Sequence, residues 1–246
     1  GIPVYHLKHL KESLTGRVEL EHISESNFGS LTPRLSIMVT KRIADFLLAL
    51  CVGVTLLPIL VMIGLAIRAT SPGPALFKQQ RMGYRGSPFL VYKFRTMSVE
   101  RQPTEARAAA MTQDDDKRIT RIGHFLRRTR IDELPQCWSV LKGEMSFVGP
   151  RPEVYEFVDE YDQEERKILD VRPGIMDYAS VEFVDLASHV GSEAEGEASA
   201  GNVYRERILK RKNRLRLKYV EEQSLANDAK ILVKTIQTVV GKAIKR

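Results

Sequence analysis

Residues 46–67 read FLLALCVGVTLLPILVMIGLAI, 22 consecutive positions without a charge, with Lys41-Arg42 on one side and Arg68 on the other. A run of about 20 apolar residues matches the hydrocarbon thickness of a bilayer, and a soluble core helix has no need of one. With 45 residues ahead of it, the run is not read as a leader peptide. Pro58 stands in the middle, where it removes a backbone hydrogen bond and crowds the preceding turn, so the helix is expected to break there into two short halves. Bases at both ends give the positive-inside bias no direction. The run therefore reads equally as a spanning helix or as a hairpin that enters and leaves the same leaflet.

The flanks of this run carry weaker signals. Upstream, residues 1–36 hold short apolar patches, and the spacing of His6, His9 and His22 matches no common metal pattern. Downstream, Ser71-Pro72-Gly73-Pro74 is a stiff turn that ends the apolar segment. Residues 75–80 and 89–94 alternate as two short strands about a glycine-bearing turn at Gly83 to Gly86, which predicts a hairpin. Residues 98–117 are polar and weakly patterned. Their Asp114-Asp115-Asp116 triplet reads as solvated loop, because three successive carboxylates cannot all face one ion.

From Lys117 to Arg130, Ile119, Ile122, Phe125 and Leu126 fall at helical spacing among five arginines, Arg118, Arg121, Arg127, Arg128 and Arg130. Ile131-Asp132-Glu133-Leu134-Pro135-Gln136 then opens a second helix, since Asp132 has N-cap character and Pro135 is tolerated only in a first turn; Gly143 stops it. Acidic residues at a helix start cap it and complement its dipole, and that alone would account for the pair. The arginines upstream, and Arg151 held between Pro150 and Pro152, favour a second reading. Carboxylates with converging guanidinium groups make a magnesium and phosphate site, because Mg²⁺ takes one or two carboxylates plus substrate phosphate and arginine grips phosphate bidentately.

The chain is 43% apolar and 28% charged, well outside the composition of disordered chains, and carries a net charge of +7. Residues 204–246 alone sum to +9 and the remainder to −2. That partition argues against a nucleic-acid-binding domain spread over the fold and points to one basic face. Ile208, Leu215 and Leu217, then Ile231, Leu232, Ile236, Val239, Val240 and Ile244, stripe two basic helices suited to an anionic membrane surface. Residues 187–203, rich in Ala, Ser, Gly and Glu, form a flexible loop before them. Cys51 and Cys137 make no disulfide framework and no metal pair.

Taken in order, Lys41-Arg42-Ile43-Ala44-Asp45, Ser71-Pro72-Gly73-Pro74 with Phe77, Gln79 and Arg81, Tyr92-Lys93-Phe94-Arg95-Thr96-Met97, Asp132-Glu133-Leu134-Pro135-Gln136, Leu141-Lys142-Gly143-Glu144-Met145-Ser146 and Val148-Gly149-Pro150-Arg151-Pro152 resemble the bacterial sugar transferase family, the monotopic phosphoglycosyl transferases. The match covers about residues 38–178. Residues 1–33 look like the end of the extra cytoplasmic domain of the larger members.

The resemblance implies transfer of a sugar 1-phosphate from a UDP-sugar to polyprenyl (undecaprenyl) phosphate with release of UMP, the first membrane step of surface polysaccharide or glycoconjugate synthesis. It implies Asp132 as the nucleophile that forms a covalent phosphosugar enzyme, Mg²⁺ held by Asp132 and Glu133, and phosphate contacts from Arg127, Arg151 and Lys93. Residues Arg172, Pro173 and Gly174 would belong to the nucleotide and sugar region. Met176-Asp177-Tyr178-Ala179-Ser180 departs from the Thr-Gly-Trp-Ala-Gln of many members, and Leu57 stands where many carry Ser before the proline. The expected fold is α+β and mostly helical. It comprises a tail over 1–36, a re-entrant membrane helix over 37–70 broken at Pro58, a catalytic domain with a β-hairpin over 71–186 on the cytoplasmic face of the bacterial inner membrane, and interfacial helices over 204–246. The implied partners are a UDP-sugar, polyprenyl phosphate and the anionic bilayer, with a homo-oligomer allowed and no nucleic acid. A non-catalytic membrane scaffold of polysaccharide assembly is the alternative.

Overall fold

The computed structural model describes residues 34–98, 116, 118–182 and 204–244. The loop expected over 187–203, most of the tail over 1–36 and Asp114-Asp115 lie outside the described residues. Lys41–Arg246 forms one compact unit.

The apolar run lies in a single helix, α1 (Arg34–Thr70), which continues through Pro58. Helical structure is thus uninterrupted at that residue, and the break expected there does not take the form of a gap between two separate helices. Proline deprives the Val54 carbonyl of its partner four residues on, but one lost bond does not end a helix whose neighbours on both sides are good apolar helix formers. Along α1, Lys41, Asp45, Ala49 and Ile67 are buried, with Val52, Leu56, Leu60, Ile63 and Gly64 half-buried between them. Steps of three and four residues make one continuous face. Val54, Leu57, Met62 and Leu65 lie off that face and are exposed.

Both ends of the apolar run are tied into the same unit. Near its start, Arg42 donates to the carbonyls of Val140 (2.5 Å) and Leu141 (2.8 Å), and the Asp45 carboxylate accepts from the Phe147 amide at 3.1 Å. Lys41 reaches Asp228 at 2.5 Å, and the Tyr219 hydroxyl lies 2.8 Å from the same carboxylate. At the far end Ile67 packs with Phe94 and Leu126. Buried Arg95 donates to the carbonyls of Ser71 (2.8 Å) and Pro72 (2.6 Å), fixing the turn that follows α1.

The hairpin forms as expected. β1 (Leu76–Met82) pairs antiparallel with β2 (Pro88–Phe94), from Leu76 opposite Phe94 to Met82 opposite Pro88. Pro88 is tolerated as the first strand residue. Val91 and Phe89 of β2 join Ala49, Val140, Met145, Phe147 and Ile175 in the principal core.

α2 (Arg121–Thr129) starts later than its periodicity suggested, because Ile119 bridges to Met97 and Thr120 caps the helix by accepting from the Gly123 amide at 3.0 Å. A 3-10 turn (Ile131–Gln136) leads into α3 (Cys137–Lys142). β3 (Ser146–Val148) and β4 (Gly174–Met176) form a short parallel pair that three-residue strands could not announce by alternation. Gly174 is required where these segments touch, since a Cβ there would fall 2.1 Å from the Gly149 nitrogen. Two single-turn helices, α4 (Tyr155–Val158) and α5 (Tyr178–Glu182), precede the C-terminal α6 (Lys210–Glu221) and α7 (Leu225–Ile244).

Both basic C-terminal helices are present, but α6 buries a polar face: Asn213 and Arg216 are 1% exposed and Tyr219 fully buried. Part of the C-terminal positive charge is therefore spent inside the protein.

Candidate functional site

α2 ends at Arg130, whose left-handed backbone (φ 57°) turns the chain sharply into the 3-10 turn. That reversal buries two successive carboxylates, Asp132 and Glu133. The N-terminal flank of the turn is Arg130, with no side-chain cap, so Asp132 does not act as the N-cap that its position suggested. Pro135, lacking an N–H, and its restriction on Leu134 explain why the segment is 3-10 rather than α.

Glu133 gathers cations from three parts of the chain. Lys93 of β2 donates to its Oε1 at 2.9 Å, Arg151 donates to both oxygens, with Nη1 at 3.1 Å from Oε2, and Arg130 Nη1 lies 3.7 Å from Oε1. Burial alone would raise this carboxyl. Arg151, Lys93 and Arg130 outweigh burial and hold it well below the usual range, so it stays ionised. Lys93 in turn is lowered by loss of water, against the pull of Glu133.

Asp132 differs from its neighbour. It is equally buried, yet its Oδ1 has no hydrogen-bond partner. Burial first, and the Glu133 charge second, push its pKa up to about 6 against the opposing influence of Lys93, Arg130 and Arg127. One turn further on, the buried amide nitrogen of Gln136 also lacks a partner. A buried acceptor and a buried donor left open are costly in a finished core and reasonable where a ligand supplies their partners.

Arg151 is held by more than Glu133. Its Nη1 donates to the Ile175 carbonyl at 3.1 Å and its backbone amide to Asp177 Oδ2 at 3.2 Å. Asp177, 1% exposed, faces Arg216 of α6 at 3.7 Å, and Arg216 pairs with Glu153 at 2.7 Å. Burial would raise Glu153, but Arg216, Lys212 and Arg81 together bring it down to about 2. A chain of alternating charges thus runs from α6 to the site.

Of the residues read as site residues, the structure brings Asp132, Glu133, Lys93 and Arg151 together. Arg127 biases Asp132 electrostatically while its Nε donates to the Thr96 hydroxyl at 2.9 Å. Arg172 donates to the Gly143 carbonyl at 3.0 Å and lies over the Tyr84 ring, and the Pro173 carbonyl accepts from the Ser146 amide, contacts that fix this stretch against β3 and the hairpin turn. Asp116 is bound to Arg118, in keeping with a loop role. Sequence reasoning missed Arg130, Asp177 and Arg216 as site residues. Arg130 had a signal, its i,i+3 spacing to Glu133 at the end of an arginine-rich helix; the other two are joined to the site only by long-range contacts.

As for a metal, Asp132 Oδ1 is an open, buried anionic oxygen, which suits Mg²⁺ completed by substrate phosphate. Both Glu133 oxygens accept from cations, so of the two carboxylates expected to bind metal only Asp132 offers an unengaged atom. Among the described residues no group of three His, Cys, Asp or Glu converges on a metal position.

Beside the dyad lies a cleft of about 230 Å³. Arg130, Glu133 and Arg151 line it together with Phe147, Ile175, Met176 and the α7 residues Ile236, Val239 and Val240. Cys137 also lines it, its thiol pushed up to about 11 by burial and so unreactive.

A family profile described as Bacterial sugar transferase matches residues 36–242. The UDP-N-acetylgalactosamine-undecaprenyl-phosphate N-acetylgalactosaminephosphotransferase of Aeromonas hydrophila is 39% identical over 244 residues, 97% of this chain and 52% of that protein. The UDP-glucose:undecaprenyl-phosphate glucose-1-phosphate transferases of Caulobacter vibrioides and Escherichia coli are 34% and 38% identical, over 86% and 57% of this chain and 74% and 30% of their own lengths. The chain thus spans about half the length of the Aeromonas relative.

Two outcomes follow for stability. Because the Asp132 pKa is raised, its ionised form opposes folding above about pH 6, and the penalty fades as pH falls toward its ordinary value near 4. With metal chelated, Asp132→Asn should raise the Tm at pH 7.5, and the gain should shrink at pH 4.5; an unchanged or lower Tm at pH 7.5 contradicts the charge burial. Glu153 has the opposite sign. Its depressed pKa makes the Arg216 pairing fully stabilising above about pH 4.5 and lost as pH falls through about 2. Arg216→Met should cost about 3–5 kcal/mol at pH 7, read by thermal unfolding in detergent, with the deficit narrowing under acid.

Proposed function

This chain belongs to the bacterial sugar transferase family, and from that premise we propose that it transfers a sugar 1-phosphate from a UDP-sugar to polyprenyl phosphate, releasing UMP. The observation that carries this reading is the asymmetry of the dyad. Asp132 keeps a free buried oxygen while Glu133, its oxygens engaged, assembles Lys93, Arg130 and Arg151 beside it.

In the first step an Asp132 oxygen attacks the phosphorus that bears the sugar. An aspartyl O–P bond forms, the pyrophosphate P–O bond breaks, and UMP leaves with that electron pair. In the second step a phosphate oxygen of polyprenyl phosphate attacks the same phosphorus and Asp132 departs as carboxylate, giving the polyprenyl diphosphate sugar. Neither step transfers a proton to or from the protein, so no catalytic histidine is needed. With its pKa near 6, Asp132 is ionised at neutral pH yet more basic than an ordinary aspartate, which favours nucleophilic attack. Arg151, Lys93 and Arg130 meet the negative charge of the transferring phosphate, and their shared hold on Glu133 orients them before substrate arrives. When bound, Mg²⁺ held by Asp132 and the donor phosphates supplies further neutralisation of the pyrophosphate. A non-catalytic scaffold has no use for an open buried carboxylate raised in this way.

For topology we propose that α1 enters and leaves the cytoplasmic leaflet of the inner membrane. A straight span over 22 residues rises about 33 Å and carries its ends to opposite faces. Here the anchors at Lys41, Arg42 and Asp45 and those at Ile67 and Ser71 all reach one unit, which supports placing both ends on one side. The outward bases of α6 would face anionic headgroups.

Two measurements test the reading. Purified protein with Mg²⁺, undecaprenyl phosphate and a panel of UDP-sugars should release UMP from at least one donor, and Asp132→Asn should lower that rate by about a thousandfold or more; full activity in the variant removes Asp132 as nucleophile. In a background without native cysteines, Ala44→Cys and Ala69→Cys should react with an impermeant maleimide only when the cytoplasmic side is opened. Labelling of the two from opposite sides would restore a spanning helix.

A further inference from the structure

The cleft beside the dyad has a composition that the two reaction steps do not explain. Its lining combines the guanidinium groups of Arg130 and Arg151, with the Glu133 carboxylate they share, and a larger apolar part made by Phe147, Ile175, Met176 and α7. α7 contributes Thr235 and Thr238 as well as Ile236, Val239 and Val240. Both threonine hydroxyls are spent within the helix, donating to the carbonyls of Ile231 and Lys234 at 2.8 Å each, so they offer a ligand no free donor. Ile236 and Val240 are each 49% exposed, which gives the cleft an apolar rim at the surface.

We propose that this cleft is the binding site for the first isoprene units of the polyprenyl phosphate acceptor, with the lipid phosphate against Arg130 and Arg151; the inference rests on the transferase reading above. The occupant follows from the matching of chemistry along the cleft. An anionic head next to a branched hydrocarbon chain fits a lining that joins two guanidinium groups to aliphatic walls. A uracil or hexose in the same place would bury several donors and acceptors against largely aliphatic walls whose threonine hydroxyls are already engaged and to which Ser180 adds a single hydroxyl, a costly arrangement. The volume, about 230 Å³, is smaller than the roughly 300 Å³ at the low end of small-molecule pockets, so it suits the head-proximal part of a long chain whose remainder stays in the bilayer. The acceptor would then enter along α7, giving the C-terminal helix a part in substrate binding as well as in membrane contact.

The test uses the whole protein in detergent and a diazirine-bearing farnesyl phosphate. Irradiation should place adducts on residues 231–240, excess undecaprenyl phosphate should abolish them, and equal phosphatidylglycerol should not. In steady-state UMP release, Val239→Trp, or Ile236→Trp if the first does not fold, should raise the KM for undecaprenyl phosphate roughly tenfold or more with the UDP-sugar KM within about twofold. Adducts elsewhere, equal displacement by phosphatidylglycerol, or a change confined to the donor KM would each overturn the proposal. Specific labelling of 231–240 without UMP release from any donor would keep the prenyl-phosphate site and remove the transferase reading.

Discussion

The site depends on the charge of Glu133. Three cations, one each from β2, the end of α2 and the loop after β3, could not be held close together without a shared anion, and Glu133 supplies it from inside the fold. Counting Lys93, Arg130 and Arg151 against the two carboxylates leaves a local excess of one positive charge when Asp132 is ionised. Such a site is poised to take in an anionic substrate without being so positive that the cations disperse. The same arrangement leaves Asp132 a buried carboxylate with an unengaged oxygen, stabilised by the field of its neighbours rather than by direct bonds. Two adjacent acids thus acquire different tasks from their surroundings alone.

Behind this cluster stands a second tier that the chain builds from its C-terminal end. Arg216 neutralises Glu153 and faces Asp177, and Asp177 receives the backbone amide of Arg151. Each charge is answered by the next, so the desolvation cost of burying any one of them is offset only while the others remain. α6 is therefore coupled to the site through polar contacts, while α7 reaches it through the apolar cleft wall. The same region that departs from the common family pattern, Met176 to Ser180, supplies Asp177, so the departure falls in the support of Arg151.

How much of this could be read beforehand differs by residue. The apolar run of α1 was plain, because 22 uncharged positions are conspicuous in any context, but its inward face was not: a helix apolar on all sides gives no periodic sign of which stripe packs. The hairpin was legible from alternation and its glycine turn. β3 and β4 were not, because three residues carry no period. Asp132, Glu133, Lys93 and Arg151 were found through motif order. Arg216 was counted among surface bases, since nothing local distinguishes an arginine facing headgroups from one facing Glu153 across 63 residues of chain. Of the bases behind the +9 of the C-terminal segment, Arg216 at least turns inward.

The long apolar helix and the C-terminal helix are joined by a buried contact. Lys41, just before the apolar run of α1, and Asp228 in the first turn of α7 form a buried pair at 2.5 Å, and Tyr219 steadies the same carboxylate while lying 3.0 Å from the Val148 carbonyl. A buried pair of this kind is weak support for net stability, because desolvation consumes much of its attraction, but it is demanding in geometry. It sets the start of the helix that lines the cleft against the stretch of α1 just ahead of its apolar run. If the acceptor chain passes along α7, that pairing, with the Arg42 and Asp45 anchors beside it, couples the position of α1 to the geometry at which the lipid phosphate meets Arg151.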